Sequence, residues 1–240
     1  YKSLLAGQES GGNRKELTAG QREKKITRTS GYVATLVKRE WKVLFRTPLY
    51  LLNGITGTIM GPIILFMMLL TRRGSAEMAG LFDYLSDPAI SDYVLLGTLG
   101  VMIFTGGMNV VASTAVSREG QTFWITKTIP VPAKQQVTSK LIVSCLVSAL
   151  GILTTFVIML VFFRLPTLGL VGVTFVGLIG TVPMVALNLL IDVYHPKLVW
   201  STEQEAMKQN MNGFFGMLLS MLIMLVFGLT TFILMILKLP

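Results

Sequence analysis

Long apolar runs alternate with short polar stretches along the chain from residue 48 onward. Five runs lack Asp, Glu, Lys, Arg and His altogether, at roughly 49–71, 93–117, 141–163, 165–191 and 209–237. At ~1.5 Å of rise per residue each is long enough, as a helix, to cross the ~30 Å hydrocarbon core of a bilayer with some tilt. The stretch before them follows another rule. Val33, Leu36, Val37, Trp41, Leu44 and Phe45 recur every three or four residues, while Lys38, Arg39, Lys42 and Arg46 gather on the opposite side. That spacing predicts an amphipathic helix over 31–48 that lies on the membrane surface, with Trp41 at headgroup depth and its cations toward anionic lipid. Pro48 then turns the chain inward. Residues 1–30, rich in Gly, Ser, Thr, Gln and mixed charge, read as a flexible cytoplasmic linker. The expected architecture is all-α, a polytopic helical bundle of five spans over 49–240 behind an interfacial helix.

Composition narrows this further. Of the 240 residues 52% are hydrophobic and only 14% charged, against about 25% charged in soluble domains, so lipid is the solvent for most of the chain. The one cysteine, Cys145, sits inside an apolar run, which disfavours a disulfide-stapled secreted scaffold. The net charge of +9 stands beside the spans, where the positive-inside bias accounts for it, and no nucleic-acid partner is expected. With the N-terminus cytoplasmic, only Arg72, Arg73, Arg164 and Lys238 of the 21 Lys and Arg fall outside. An odd number of spans then puts the C-terminus outside. No signal-peptide pattern is visible, and a chain that starts at Tyr1 is expected to be a piece of a longer polypeptide or a processed form.

Small residues punctuate the spans, among them Gly54, Gly57 and Gly61, Gly97, Gly100, Gly106 and Gly107, Gly177 and Gly180, and Gly213 and Gly216, with Pro62 and Pro183. Two readings stand side by side. Lipid gives no hydrophobic gain for joining two helices, so close approach at small residues is a main source of attraction, yet glycine is also simply common in membrane helices. Asn53, Asn109 and Asn188 are the conspicuous polar side chains of the spans, and they too read two ways, as the lining of a path or as interhelical hydrogen bonds at about 1 kcal/mol each.

The chemistry absent from the spans is informative. Ion-coupled transporters and proton pumps keep an ionisable group at membrane depth; here Asp192 and His195 come only as the fourth run ends. No HExxH, no pair of carboxylates within a span and no GxxxxGK[ST] phosphate cradle occurs. No enzyme activity, catalytic residue, metal or cofactor is therefore expected in this chain. A transporter of this composition takes its energy from a partner or conducts passively.

Attention passes to the loops at 117–140 and 192–208. The first reads Ser117-Arg118-Glu119-Gly120-Gln121-Thr122-Phe123-Trp124-Ile125-Thr126-Lys127-Thr128-Ile129-Pro130-Val131-Pro132 and runs on to Lys134 and Lys140. Phe123, Trp124, Ile125 and Ile129 are large and apolar where a plain connector is polar, and a short amphipathic element fits between Gly120 and Pro130. Aromatics in such a place mark a docking surface or an anchor at the lipid interface.

The order Ser-Arg-Glu-Gly, Phe-Trp, Lys, Ile-Pro-Val-Pro and a downstream Lys resembles the cytoplasmic loop of type-2 ABC exporter permeases, and Arg39 to Pro48 resembles the connecting helix of that family. The segment from His195 through Asn210 is similar, less specifically, to a loop in a subgroup of large bacterial permeases of this kind. The resemblance covers about Val37 to the C-terminus. It implies that Arg118, Glu119, Gly120, Phe123, Trp124, Lys127 and Pro130 form a coupling helix seated on a separate ABC ATPase subunit, and that Arg39, Trp41, Lys42 and Arg46 belong to the connecting helix. It further implies ATP and Mg in that partner, a second permease half or a homodimer around the substrate path, and a multi-pass protein of the bacterial cell membrane. Six spans are usual in the family and five are counted here, so a sixth span and a preceding half are expected beyond this chain. On that reading Arg118 and Glu119 pair with charges of the ATPase. The alternative is a passive channel or a non-transport membrane scaffold. Neither reading identifies a substrate, because the spans are apolar all round.

Overall fold

The computed structural model describes residues 31–71 and 76–237, and among these there is no strand. The linker at 1–30 and the side chains of Arg72, Arg73 and Lys238 lie outside the described residues. The helices are α1 (Tyr32–Arg46), α2 (Pro48–Thr71), α3 (Ala76–Leu85), α4 (Ser91–Gly107), α5 (Val110–Ser113), α6 (Phe123–Thr128), α7 (Ala133–Phe162), α8 (Thr167–Tyr194), α9 (Glu203–Met207) and α10 (Met211–Ile236). Short 3-10 turns at Pro88–Ile90 and Ser117–Thr122 precede α4 and α6. Five helical stretches are long and apolar enough to cross a membrane, and they coincide with the five runs read from the sequence.

The second run departs from a single helix. It breaks after Gly107, where Asn109 caps α5 by accepting from the Ala112 N–H at 3.2 Å. Two poor helix formers, Gly106 and Gly107, precede a side chain that competes for backbone donors, and that local conflict ends α4. The same Asn109 donates to the Ser144 carbonyl at 2.6 Å and to Ser148 Oγ at 2.8 Å, which fixes the break against α7.

α4 lies against α7, α8 and α10, and α7 carries α1 and α2 on its other sides. Glycine at helix contacts is explained position by position. A Cβ on Gly151 of α7 would stand 2.7 Å from the Thr58 carbonyl of α2, so these two backbones meet only because no side chain intervenes. Gly97 and Gly172, in contrast, face open space. Buried hydroxyls are satisfied inside their own helices, with Thr58, Thr98, Thr105, Thr155 and Thr181 each donating to the carbonyl four residues back. That economy suits a medium that offers no water. Outward, Phe175, Val176 and Ile179 of α8 and Leu222, Leu225 and Leu229 of α10 form an apolar skin of the kind lipid solvates.

α1 packs its apolar face inward. Leu44 is buried, and Val37 and Trp41 lie on a cluster of Tyr50, Val111, Val143, Val147, Ala206 and Met207. Trp41 is thus a protein contact, half-buried, rather than a free headgroup anchor; Lys38, Lys42 and Arg46 remain exposed and Arg39 half so.

Candidate functional site

The end of the bundle that holds α1, α6 and α9 is built around ionised side chains taken from four separate stretches of chain. Lys140, near the start of α7 and only 5% exposed, is the centre. Its ammonium lies 2.9 Å from Glu40 Oε1 of α1 and 2.6 Å from Glu119 Oε1, and it donates to the Ala115 carbonyl at 2.9 Å. Of the three donors of an ammonium, two hydrogen-bond to Glu40 and Ala115, and Glu119 Oε1 is held by charge at ion-pair distance. Glu119 reaches on with its other oxygen, which accepts from Thr126 Oγ1 of α6 at 2.5 Å. One lysine therefore ties α1, α6 and α7 together.

Asp192 does the corresponding work on α8. It is fully buried and accepts from the Val116 N–H at 2.5 Å, the Ser117 N–H at 3.0 Å, Asn212 Nδ2 at 2.7 Å and, in a very short bond, Ser117 Oγ. Asn212, in the first turn of α10, also donates to the His195 carbonyl at 2.7 Å. The two loops are then locked to each other. Ser117 Oγ accepts from the Lys197 N–H at 2.9 Å, and the Ser117 carbonyl accepts from Trp200 Nε1 at 2.8 Å. The Trp200 indole lies where a Cβ on Gly120 would be, 2.6 to 2.8 Å away, and Gly120 has φ +51°. Glycine is required there twice over, by backbone conformation and by the ring.

Arg118 lies among these groups, 7% exposed, with its guanidinium carbon 5.9 Å from the centre of the Tyr50 ring. Burial disfavours its charge and Glu40 and Asp192 offset that only in part, while its Nη1 meets no hydrogen-bond acceptor among the described residues. Three carboxylates and two cations share this interior, so charge is nearly balanced and few charges stand far from an opposite one.

What faces outward is α6. Trp124 is 63% exposed and Ile125 is also exposed; Phe123 is half-buried beneath the Lys127 ammonium, 5.0 Å from the ring centre. Thr126, the one buried residue of α6, is the inward anchor. Gln136 Nε2 of α7 closes the far side of the loop by donating to the carbonyls of Thr126 at 3.2 Å and Val131 at 2.9 Å. Pro130 is exposed at the turn into α7, which begins at Ala133, so Lys134 and Lys140 belong to a helix rather than to a loop running to residue 140.

Against the sequence reading, Phe123, Trp124, Lys127 and Pro130 stand on one outer surface, whereas Arg118, Glu119 and Gly120 turn inward. Surface pairing of Arg118 and Glu119 with a partner's charges is corrected accordingly: Glu119 is paired with Lys140 inside the chain, and Arg118 is buried against the Tyr50 ring with no ion pair among the described residues. Asn109 and Asn188 are interhelical contacts, Asn188 donating to the Gly107 carbonyl of α4 at 2.7 Å. Asn53 donates within its own helix to Leu49 at 2.8 Å. Missed by the sequence reading were Glu40, Thr126, Asp192, Trp200 and Asn212. Two of them carried a signal, Glu40 as the lone acid of 31–48 and Asp192 as the acid that directly follows an apolar run. Among the described residues no group of three or more His, Cys, Asp and Glu is placed to hold a metal ion.

The arrangement joins a surface helix to the bundle. It presents a small apolar platform, and it connects that platform rigidly to α1, α7 and α8. The chain matches no protein-family model, no curated protein and no solved structure.

Proposed function

We propose that this chain is the membrane permease component of an ATP-driven exporter, worked by a separate ABC ATPase that seats on α6 from the cytoplasmic side. The observation that carries the reading is the exposure of Trp124 and Ile125 on a six-residue helix whose opposite side is bonded through Thr126, Glu119 and Lys140 into the bundle. A plain connector would show neither the aromatic surface nor the bracing. The resemblance of residues 117–140 to the coupling loop of type-2 ABC exporter permeases points the same way.

Force applied to α6 has a defined route on this reading. It passes from Thr126 to Glu119, from Glu119 to Lys140 of α7, and from Lys140 to Glu40 of α1, while Asp192 binds the base of the loop to α8. Two packings of these helices that differ by a few kcal/mol are switched when the partner binds one of them better. A second permease half or a second copy of the chain completes the path in a bacterial cell membrane. The N-terminus, and with it the charged end of the bundle, faces the cytoplasm on this reading, which the distribution of Lys and Arg supports.

Replacing Phe123 and Trp124 together by Ala tests this. A buried Trp anchor is commonly worth about 2 kcal/mol or more, so affinity for the ATPase falls about 30-fold or more, measured by co-purification in mild detergent and by titration. ATP-dependent transport falls with it, while membrane insertion and the amount of folded protein are unchanged. Undiminished ATPase binding by the double variant would sink the docking site.

A further inference from the structure

The opposite end of the bundle contains a recess of contrasting chemistry. It measures about 600 Å³, and its walls include Leu65 of α2, Leu85 of α3, Tyr93 and Val101 of α4, Phe163 after α7 and Met224 of α10. Sites for small molecules commonly fall between about 300 and 1,000 Å³. The walls are almost entirely hydrocarbon and thioether. Apart from the phenols of Tyr84 and Tyr93, the one hydroxyl among them is that of Thr98, which donates to the Val94 carbonyl at 2.8 Å and has no donor left for a ligand. A polar molecule entering here would give up hydration for nothing, whereas an alkyl chain has no hydration to lose.

The glycines of α4 show that the space is kept open. A Cβ on Gly106 would stand 2.5 Å from Thr181 and on Gly107 2.9 Å from Ser220, closer than packing allows, and on Gly100 it would press on Phe227 at 3.0 Å. Gly97 is different. Nothing lies within 4 Å of its absent Cβ, and the vacant volume before it is the recess. Glycine is a poor residue for a helix interior, and here its missing side chain deepens the recess instead of admitting a neighbouring helix.

The environment and the rim say what enters. The walls belong largely to helices long and apolar enough to cross a membrane, so the surrounding medium is acyl chain. Tyr84 and Tyr93 line the recess yet remain largely exposed, with apolar rings and polar tips, as suits headgroup depth. Charges of both signs adjoin it in the chain: Asp83 and Asp92, both exposed, precede those tyrosines, and exposed Arg164 follows Phe163. A head that carries an ammonium and a phosphate complements such a rim better than a head of one sign.

We propose that this recess binds the single acyl chain of a zwitterionic membrane amphiphile, with the tail in front of Gly97 and the head beside Tyr84 and Tyr93. The assignment holds whether or not an ATPase drives the chain.

The test uses the purified full chain in nanodiscs and palmitoyl lysophosphatidylcholine with a photoreactive diazirine near the end of its tail. Labelling saturates, maps by peptide mass spectrometry to Met159, Val101 and Met224, and is displaced by the unmodified lysolipid at least tenfold more effectively than by palmitate. Gly97→Phe lowers it at least tenfold, and Gly97→Ala changes it less than twofold. A protein that carries Gly97→Cys and Cys145→Ser, folded first and then capped with N-cyclohexylmaleimide, loses labelling to the same degree and removes any question of misfolding. Labelling that never saturates, that survives both blocks, or that spreads over the outward residues Leu222 and Leu225 of α10 as in ordinary bilayer contact overturns the site. Equal displacement by palmitate overturns the zwitterionic head.

Discussion

The two ends of this bundle solve the same problem with opposite means. At one end Glu40, Arg118, Glu119, Lys140 and Asp192 are drawn out of water, with Lys140 holding the two glutamates and Asp192 held by Ser117 and Asn212, so that loops and helices from distant parts of the sequence are bonded together. At the other, α2, α3, α4, α7 and α10 surround a space that no side chain fills. Buried charges give little net stability but make a wrong arrangement expensive, since any partner left behind is an uncompensated ion. Apolar walls set no such penalty, and a cavity in lipid is tolerated wherever a tail can occupy it. Directional groups therefore stand where loops and helices are joined in one register, and permissive packing where a space is left between helices.

The largest expected effect breaks this contrast at its charged end. Lys140→Met leaves Glu40 and Glu119 buried with no cation between them, which destabilises by about 3 to 5 kcal/mol, read as a lowered Tm in detergent. Adding Glu40→Gln and Glu119→Gln restores most of the loss, because neutral residues in place of a whole buried ionic group are often close to neutral in stability. At the other end Gly97→Ala meets no atom and shifts stability by less than about 1 kcal/mol. A triple variant no more stable than Lys140→Met alone would show that the lysine acts through packing and not through charge.

A smaller effect sharpens the account of how the two loops are joined. Gly120→Ala forces a side chain into a φ of +51° and into the Trp200 indole, a strain of about 1 to 3 kcal/mol. Limited proteolysis then opens both loops together, the one around residue 122 and the one around residue 202, although only the first is altered. Pairing Gly120→Ala with Trp200→Ala removes the collision and leaves the backbone penalty, so the double variant recovers part of the protection at the first loop. Opening of one loop alone would mean that the Trp200 contact does not hold them in register.

How much of this was legible beforehand depends on the range of the interaction. The five spans were readable because lipid imposes a local rule, about twenty apolar residues in succession, and α1 was readable because Val37, Trp41 and Leu44 repeat at the helical period. The break at Gly107 to Asn109 escaped, since hydropathy does not register a capping asparagine. The ionic group escaped for a deeper reason: Lys140 and Glu40 are 100 residues apart, and no periodicity links an acid on a surface helix to a lysine at the start of a span. Arg118 and Glu119 looked like surface charges because a loop sequence does not say which way it folds back. The recess was invisible because it consists of a side chain that is absent at Gly97.

The last prediction changes no stability and asks only where the two ends lie. Ser201, exposed between α8 and α9, shares the end that holds the charged group, and Ala89, exposed in the turn before α4, shares the end that holds the recess. In a Cys145→Ser background a cysteine at either position reacts with a membrane-impermeant maleimide from one side only. With the cation-rich end in the cytoplasm, Ser201→Cys is labelled in inverted vesicles and protected in intact cells, and Ala89→Cys behaves in the opposite way. Because α4 through α8 place an odd number of crossings between these two positions, opposite labelling is required even if the whole bundle were turned over. Reversal of both patterns would invert the orientation and remove α6 from reach of a cytoplasmic ATPase, whereas labelling of both from one side would overturn the count of spans itself.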